Sequence, residues 1–193
     1  MDLLSAQRFE AWRFATALGP VALAACVTAF VPARVIAQTG TVEYAVKATY
    51  LYKFAPYVEW PEGSFRSPSD PLVLCVIGVD AVANLVDEAV QGQTVGGHAV
   101  TVRHIVEPKR DSDCRILYVA ASQRDPAAAL GIVRGTPVLT VTDARPDARV
   151  HGIIDFVIES NRVRFEIDLN AAAENHLLIS SKLLNLAVRV RQP

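Results

Sequence analysis

Short apolar runs of strand length alternate with amphipathic segments along most of the chain. Residues 72–78 (LVLCVIG), 115–120 (RILYVA) and 137–142 (PVLTVT) are such runs, and their continuity is typical of strands buried on both faces of a sheet. Residues 82–90 and 126–133 lie between them and have the apolar spacing of helices. This alternation of strand and helix predicts an α/β fold whose sheet has a parallel centre.

Both ends of this region add further elements. Residues 41–60 have apolar positions at helical spacing, and Pro56 is expected to kink or end that helix. Residues 99–106 alternate between apolar and polar side chains, as a half-buried strand does. Residues 152–158 and 162–168 flank a short polar turn and therefore predict a β-hairpin.

Two helices are expected after the hairpin. The first covers residues 170–175 with Asn170 as its N-cap, and the second covers residues 181–190 with Ser180 as its N-cap. The complete pattern predicts an α/β three-layer sandwich. Its mixed sheet has a parallel centre and an antiparallel C-terminal hairpin, and helices cover both faces.

The N-terminus has the parts of a secretory signal peptide. Residues 14–31 form an apolar run, and the sequence VIA at residues 35–37 fits a signal peptidase site. We therefore expect residues 1–37 to be a signal peptide and residues 38–193 to form one exported domain. Two alternatives stay open: a retained membrane anchor, and lipidation of Cys26 in the lipobox-like sequence LAAC.

Charge and cysteine content narrow the class of protein. The chain has 19 Lys and Arg residues against 20 Asp and Glu residues, so it lacks the basic excess of nucleic-acid-binding proteins. Cys26 leaves with the signal peptide or carries the lipid, and Cys75 and Cys114 remain. Two cysteines in an oxidising compartment favour one disulfide, the alternative being two separate buried thiols.

The sequence contains no recognisable set of catalytic residues. The sequence has no G-x-S-x-G elbow and no phosphate-binding glycine loop, and no two histidines outside the signal have a metal-binding spacing. Asp80 and Asp143 each follow a predicted parallel strand, at the edge where α/β sheets bind ligands, but helix capping is the simpler interpretation of both. We therefore expect a binding or structural module without catalytic residues, metal or cofactor, and not an enzyme.

Aromatic residues are concentrated in one short segment. Six of the chain's 14 aromatic residues lie within 16 positions: Tyr50, Tyr52, Phe54, Tyr57, Trp60 and Phe65. A single amphipathic helix cannot bury all six. Tyr57, Trp60 and Phe65 are the candidates for a partner-binding surface, since exposed aromatic side chains suit interface anchors.

Several segments resemble the YfiR family, in order along the predicted exported domain. They are EYAVKA (43–48), YLYKF (50–54), VEWP (58–61), LCVIG (74–78), CRILYV (114–119), VLTVTD (138–143), RFEIDLN (164–170) and LISSKLLNLA (178–187). The last two are the most specific. The resemblance implies a periplasmic regulator that represses a membrane diguanylate cyclase through the cyclase's periplasmic sensor region. Repression lowers cyclic di-GMP and biofilm formation.

The resemblance also implies partners and a disulfide. Cys75 and Cys114 match the family's well-kept cysteine pair, whereas residues 143–153 lack the second pair that some members have. A homodimer and an outer-membrane lipoprotein of the OmpA type as a second partner are expected on the same basis. The rival hypothesis is a periplasmic small-ligand sensor, or a binding module for a different membrane signalling protein, with a pocket near Asp80 and Asp143.

Overall fold

The computed structural model describes residues 35–143 and 150–192, with side chains from Gly40 onwards. The predicted signal peptide at residues 1–37 lies outside the described residues except for the backbone of its last three positions, and so does Cys26. Signal cleavage, lipidation and membrane anchoring at that terminus therefore stay predictions.

The described chain alternates strands and helices much as the sequence predicts. The helices are α1 (Val35–Lys53), α2 (Ala83–Val90), α3 (Pro126–Val133), α4 (Leu169–Glu174) and α5 (Ser181–Leu184). The strands are β1 (Val58–Glu59), β2 (Leu72–Ile77), β3 (Thr94–Val95), β4 (His98–Ile105), β5 (Cys114–Val119), β6 (Leu139–Asp143), β7 (Ile154–Glu159), β8 (Arg162–Asp168), β9 (Leu178–Ile179) and β10 (Arg189–Arg191).

The main sheet, among the described residues, has the strand order β10-β8-β7-β6-β5-β2-β4-β3. The strands from β7 through β6, β5 and β2 to β4 are parallel to their neighbours, and β8 pairs with β7 in antiparallel register. A separate pair is formed by β1 and β9. The predicted parallel centre with an antiparallel C-terminal hairpin is confirmed.

Strand β2 shows why the sheet lies inside the domain. All six of its side chains are buried. Leu72, Leu74 and Val76 join a large apolar cluster that includes residues of α1 and α2. Val73, Cys75 and Ile77 alternate with them and join a smaller cluster beneath α3. Because both faces of the strand meet a helical layer, its sequence is continuously apolar, and the predicted three-layer sandwich is confirmed.

Proline and turn chemistry set two of the boundaries. Helix α1 ends at Lys53, and a 3-10 turn at Ala55–Tyr57, which contains Pro56, leads into β1, so the helix predicted for residues 41–60 is shorter at its C-terminal end. Ser160 and Asn161 have φ values of 49° and 58°, and they form the two-residue turn between β7 and β8. Positive φ at both central positions is typical of the type I′ hairpin turn.

Two details of the C-terminal prediction are wrong. The helix predicted over residues 181–190 ends at Leu184, and β10 follows because the Val188 N–H donates to the Phe165 carbonyl and the next residues pair with β8. The N-cap of α4 is Asp168, whose carboxylate accepts the Ala171 N–H at 3.0 Å, and not Asn170. Ser180 is confirmed as the N-cap of α5.

Candidate functional site

An apolar groove lies between α1, the 3-10 turn, β8 and α5, with a volume of about 230 Å³. Its floor is aromatic, because the rings of Phe54 and Phe165 meet edge-to-face with centroids 5.2 Å apart. Leu186 lies at its mouth with 55% of its surface exposed. Lys53 and Arg164, both exposed, line the rim. The groove thus has an apolar floor, an exposed leucine and a basic rim. This combination suits a protein-binding surface better than a catalytic site.

The three predicted partner-binding aromatics do not share one surface. Tyr57 is half-buried and lines the apolar groove. Trp60 and Phe65 contact each other instead, with ring centroids 6.2 Å apart, and Phe65 stacks on His98 at 4.1 Å. The sequence prediction therefore separates into one groove residue and one aromatic pair near β4.

The disulfide joins Cys75 in β2 to Cys114 at the start of β5. Their Cα atoms are 5.7 Å apart and both residues are fully buried, against α3. Because the two strands are adjacent in the sheet, the bridge closes a 39-residue segment that contains α2 and β4. A redox change would therefore act on the central strands of the sheet.

Asp80 and Asp143 lie at the same edge of the sheet, as the sequence predicts, and Asp143 is paired with a lysine. The Lys47 ammonium lies 2.9 Å from both carboxylate oxygens of Asp143 and 2.7 Å from Glu43. The Lys47 side chain is only 4% exposed. Burial by itself lowers the pKa of Lys47, yet hydrogen bonds with Glu43 and Asp143 raise it overall. Burial raises the pKa of Asp143, and the neighbouring Asp80 and Glu43 charges add to this rise while Lys47 opposes it.

Asp80 satisfies three donors. One carboxylate oxygen accepts the Ala83 N–H at the start of α2 at 2.7 Å, as the capping interpretation predicts. The other accepts the Tyr118 hydroxyl and the Ala121 N–H, each at 2.9 Å. Burial and the Asp80 charge raise the pKa of Tyr118, so that its hydroxyl stays a donor. Asp143, by contrast, ends β6 and makes an ion pair with Lys47. Both carboxylates are therefore engaged in structural contacts.

Asp155 is a second buried carboxylate, and it is not among the residues predicted from the sequence. It has no exposed surface, and it accepts from the Thr142 hydroxyl, the Gly152 N–H at 2.8 Å and Arg191 Nη2 at 2.8 Å. His151 Nδ1 lies 2.9 Å from Asp155 Oδ2, the oxygen that also accepts from Arg191. The only sequence signal was a lone aspartate in the apolar strand sequence GIIDFVI, a position where a carboxylate needs partners.

No metal centre is found among residues 35–143 and 150–192, where no group of three or more His, Cys, Asp or Glu side chains could hold an ion. The four histidines lie apart. His98 contacts Phe65 and the Asp70 carbonyl, His104 pairs with Asp87, His151 contacts Asp155, and His176 is exposed. Within the same part of the chain, no helix combines the length and the apolar character needed to cross a membrane.

A sequence profile of the YfiR/HmsC-like family matches residues 44–188, which is most of the described domain. The chain belongs to the YfiR/HmsC-like family. This family consists of regulatory proteins without catalytic activity. The matched range includes the apolar groove and the Cys75–Cys114 bridge.

Several YfiR-like segments named in the sequence analysis coincide with structural features. The segment EYAVKA contains Lys47 and its ion-pair partner Glu43, and VLTVTD ends in Asp143, the second carboxylate that pairs with Lys47. The segment LISSKLLNLA supplies Leu183 and Leu186 of the groove. The YfiR-like segments thus include the residues of the ion pair between α1 and β6 and two residues of the candidate binding surface.

Proposed function

We propose that this YfiR-like protein is a periplasmic repressor of an inner-membrane diguanylate cyclase. It binds the cyclase's periplasmic sensor region and holds the enzyme in a state of low activity, so that cyclic di-GMP and biofilm formation stay low. The family match over residues 44–188 is the observation that carries this proposal. The predicted signal peptide at residues 1–37 supports the periplasmic location.

The apolar groove is the surface that we assign to the cyclase. Leu186 exposes 55% of its surface beside the buried Phe54 and Phe165, so a partner side chain seated there would remove apolar area from water on both molecules. The exposed Lys53 and Arg164 on the rim favour a partner segment that carries carboxylates around an apolar anchor. Tyr57 belongs to this surface, whereas Trp60 and Phe65 lie outside it.

Two further interactions are proposed from the family resemblance. The protein forms a homodimer, which light scattering of the purified domain tests by mass. An outer-membrane lipoprotein of the OmpA type sequesters it and so releases the cyclase. Co-purification from crosslinked cell envelopes tests this second interaction.

Gene deletion and complementation test the proposed function. Deletion should raise cellular cyclic di-GMP, and the full chain should restore the low level. A version that lacks residues 2–37 should not restore it, because it stays in the cytoplasm. N-terminal sequencing of the exported protein should begin at Gln38, whereas a blocked, lipid-modified Cys26 would support the lipoprotein alternative. Unchanged cyclic di-GMP after deletion would overturn the proposed function.

A further inference from the structure

A second cleft lies at the edge of the sheet where β2 and β5 begin, away from the apolar groove. Its volume is about 170 Å³, and three guanidinium groups line it, those of Arg66, Arg103 and Arg115. Pocket volumes for drug-sized ligands are about 300–1,000 Å³, so this cleft suits a smaller molecule. The rival hypothesis of a ligand pocket near Asp80 and Asp143 places its site at the opposite edge.

A β-bulge brings Arg115 to this cleft. The register between β2 and β5 shifts, so that Cys114 is opposite Val73 whereas Ile116 is opposite Leu74. Arg115 is the additional residue between these pairs. An extra residue of this kind redirects a side chain relative to the regular alternation of a strand. The charged side chain thus lines the cleft within an otherwise buried, apolar strand.

The carboxylates of the cleft leave two of the three arginines without a counter-ion. Asp113 is paired with Arg66 at 2.8 Å. Asp70 accepts from its own turn, namely from the N–H groups of Arg66 and Ser67 and from the Ser67 hydroxyl. The side chain of Arg103 makes no hydrogen bond or ion pair with any residue in the described ranges 35–143 and 150–192.

Arg115 has an unused donor. Its Nη1 donates to the Cys114 carbonyl at 3.2 Å, but its Nε is buried and has no acceptor among the described residues. Burial lowers the pKa of Arg115, and the nearby Asp113 charge does not fully compensate. Buried polar groups are almost always hydrogen-bonded, so an unpartnered nitrogen on a cation calls for an anionic acceptor.

Phe65 forms an ordered aromatic wall of the cleft. Its ring lies 5.2 Å from the Arg115 guanidinium carbon and is stacked against His98 at 4.1 Å. His98 Nδ1 is 2.6 Å from the Asp70 carbonyl, so this contact positions the imidazole ring. The imidazole in turn supports the Phe65 ring from the side away from the cleft. The wall can pack against the apolar part of a ligand.

We propose that this cleft is a binding site for a small oxyanion, either a carboxylate or a phosphate monoester. The anion accepts hydrogen bonds from Arg103 and Arg115, and a small apolar body rests against Phe65. The site is independent of repression of the cyclase. Arg115 directly follows the disulfide residue Cys114 and donates to its carbonyl, so reduction of the bridge disturbs the position of Arg115.

Calorimetric titration of the purified domain with inorganic phosphate and, separately, with succinate tests the site at constant ionic strength. At least one probe should bind saturably with one site per chain, and the tighter probe identifies the class of oxyanion. Arg115→Met and Arg103→Gln should each weaken that binding about 10- to 100-fold, the effect of losing a hydrogen bond to a charged group. Arg103 is exposed, so its replacement spares the fold.

Arg124→Gln is the matched control, because this exposed arginine follows β5 at the other edge of the sheet. It should bind the probe as the wild type does. Binding of neither probe would overturn the proposal, and so would equal weakening in R124Q, which indicates adsorption by net charge alone. Loss of cyclase repression has no bearing on either result.

Discussion

Lys47 and Asp143 are joined across 96 positions of sequence by an ion pair in which both carboxylate oxygens lie 2.9 Å from the ammonium nitrogen. The pair fastens α1 to the end of β6, and the Lys47 side chain is almost completely buried there. Helix α1 also supplies one wall of the apolar groove. The geometry of the proposed binding surface therefore depends on this contact.

Replacement of Lys47 by methionine should lower the free energy of unfolding by about 2–3 kcal/mol. Loss of one partner of a buried ion pair costs about 3–5 kcal/mol, and the partial exposure of Asp143 and Glu43 reduces that figure. Urea unfolding measures the change. Lys53→Met on the exposed side of the same helix is the control and should stay within about 0.5 kcal/mol. An equal loss in both variants would contradict the structural role of Lys47.

The pKa of Asp143 should lie above its ordinary value of 3.8. Carboxyl carbon NMR during a pH titration measures it. In K47M the pKa should rise further because the opposing cation is gone, and in Asp80→Asn it should fall because one repulsive charge is removed. The raised value means that the folded state binds the proton more readily than the unfolded state. The contribution of Asp143 to the free energy of unfolding therefore increases as the pH falls from the raised pKa towards 3.8. A pKa below 3.8 would contradict the burial of this group.

The Cys75–Cys114 bridge should stabilise the domain by about 3–4 kcal/mol, the value that loop closure gives for a 39-residue separation. Cys75→Ala with Cys114→Ala should lose this amount in urea unfolding. A reducing agent should produce a similar loss in the wild type and none in the double variant. A wild type that is indifferent to reductant would show that the bridge contributes no stability.

Asp155→Ala should lower the free energy of unfolding by about 3–5 kcal/mol, since the Thr142 hydroxyl and the Gly152 N–H lose their buried acceptor and Arg191 loses one of its three carboxylate partners. Hydrogen exchange should show loss of protection in β10, because Arg191 binds this strand to the sheet through Asp155. Glu159→Ala on the exposed end of β7 is the control. Unchanged exchange in β10 would indicate that strand pairing alone holds the C-terminus.

Much of the fold could be predicted from the sequence because the central strands are apolar throughout and the helices between them have regular periodicity. The helix predicted over residues 126–133 starts at a proline, and the structure places α3 at Pro126–Val133. The helix predicted for residues 181–190 is wrong because tertiary contacts override the local helical preference. Its apolar residues suit a helix, but pairing with β8 and the Arg191 ion pairs favour a strand after Ala187.

The candidate site was less predictable from sequence. Aromatic content indicated Tyr57, yet the groove also needs Phe165 and Leu186, which lie more than 100 positions later and meet it only in the folded sheet. The bulge that brings Arg115 to the second cleft depends on strand register, which a single sequence does not encode visibly. The role of Lys47 required knowledge of its partner at Asp143.

Binding of the cyclase at the apolar groove can be measured with purified components. The periplasmic sensor region of the diguanylate cyclase is titrated with the wild type, with Leu186→Ser and with Val106→Ser. Leu186 lies in the groove, and Val106 is 94% exposed outside it, so the two changes remove similar apolar side chains in different places. We predict saturable binding that weakens about tenfold or more in L186S and is unchanged in V106S. Absence of binding by the wild type, or equal affinities of wild type and L186S, would show that the groove is not the surface that binds the sensor region.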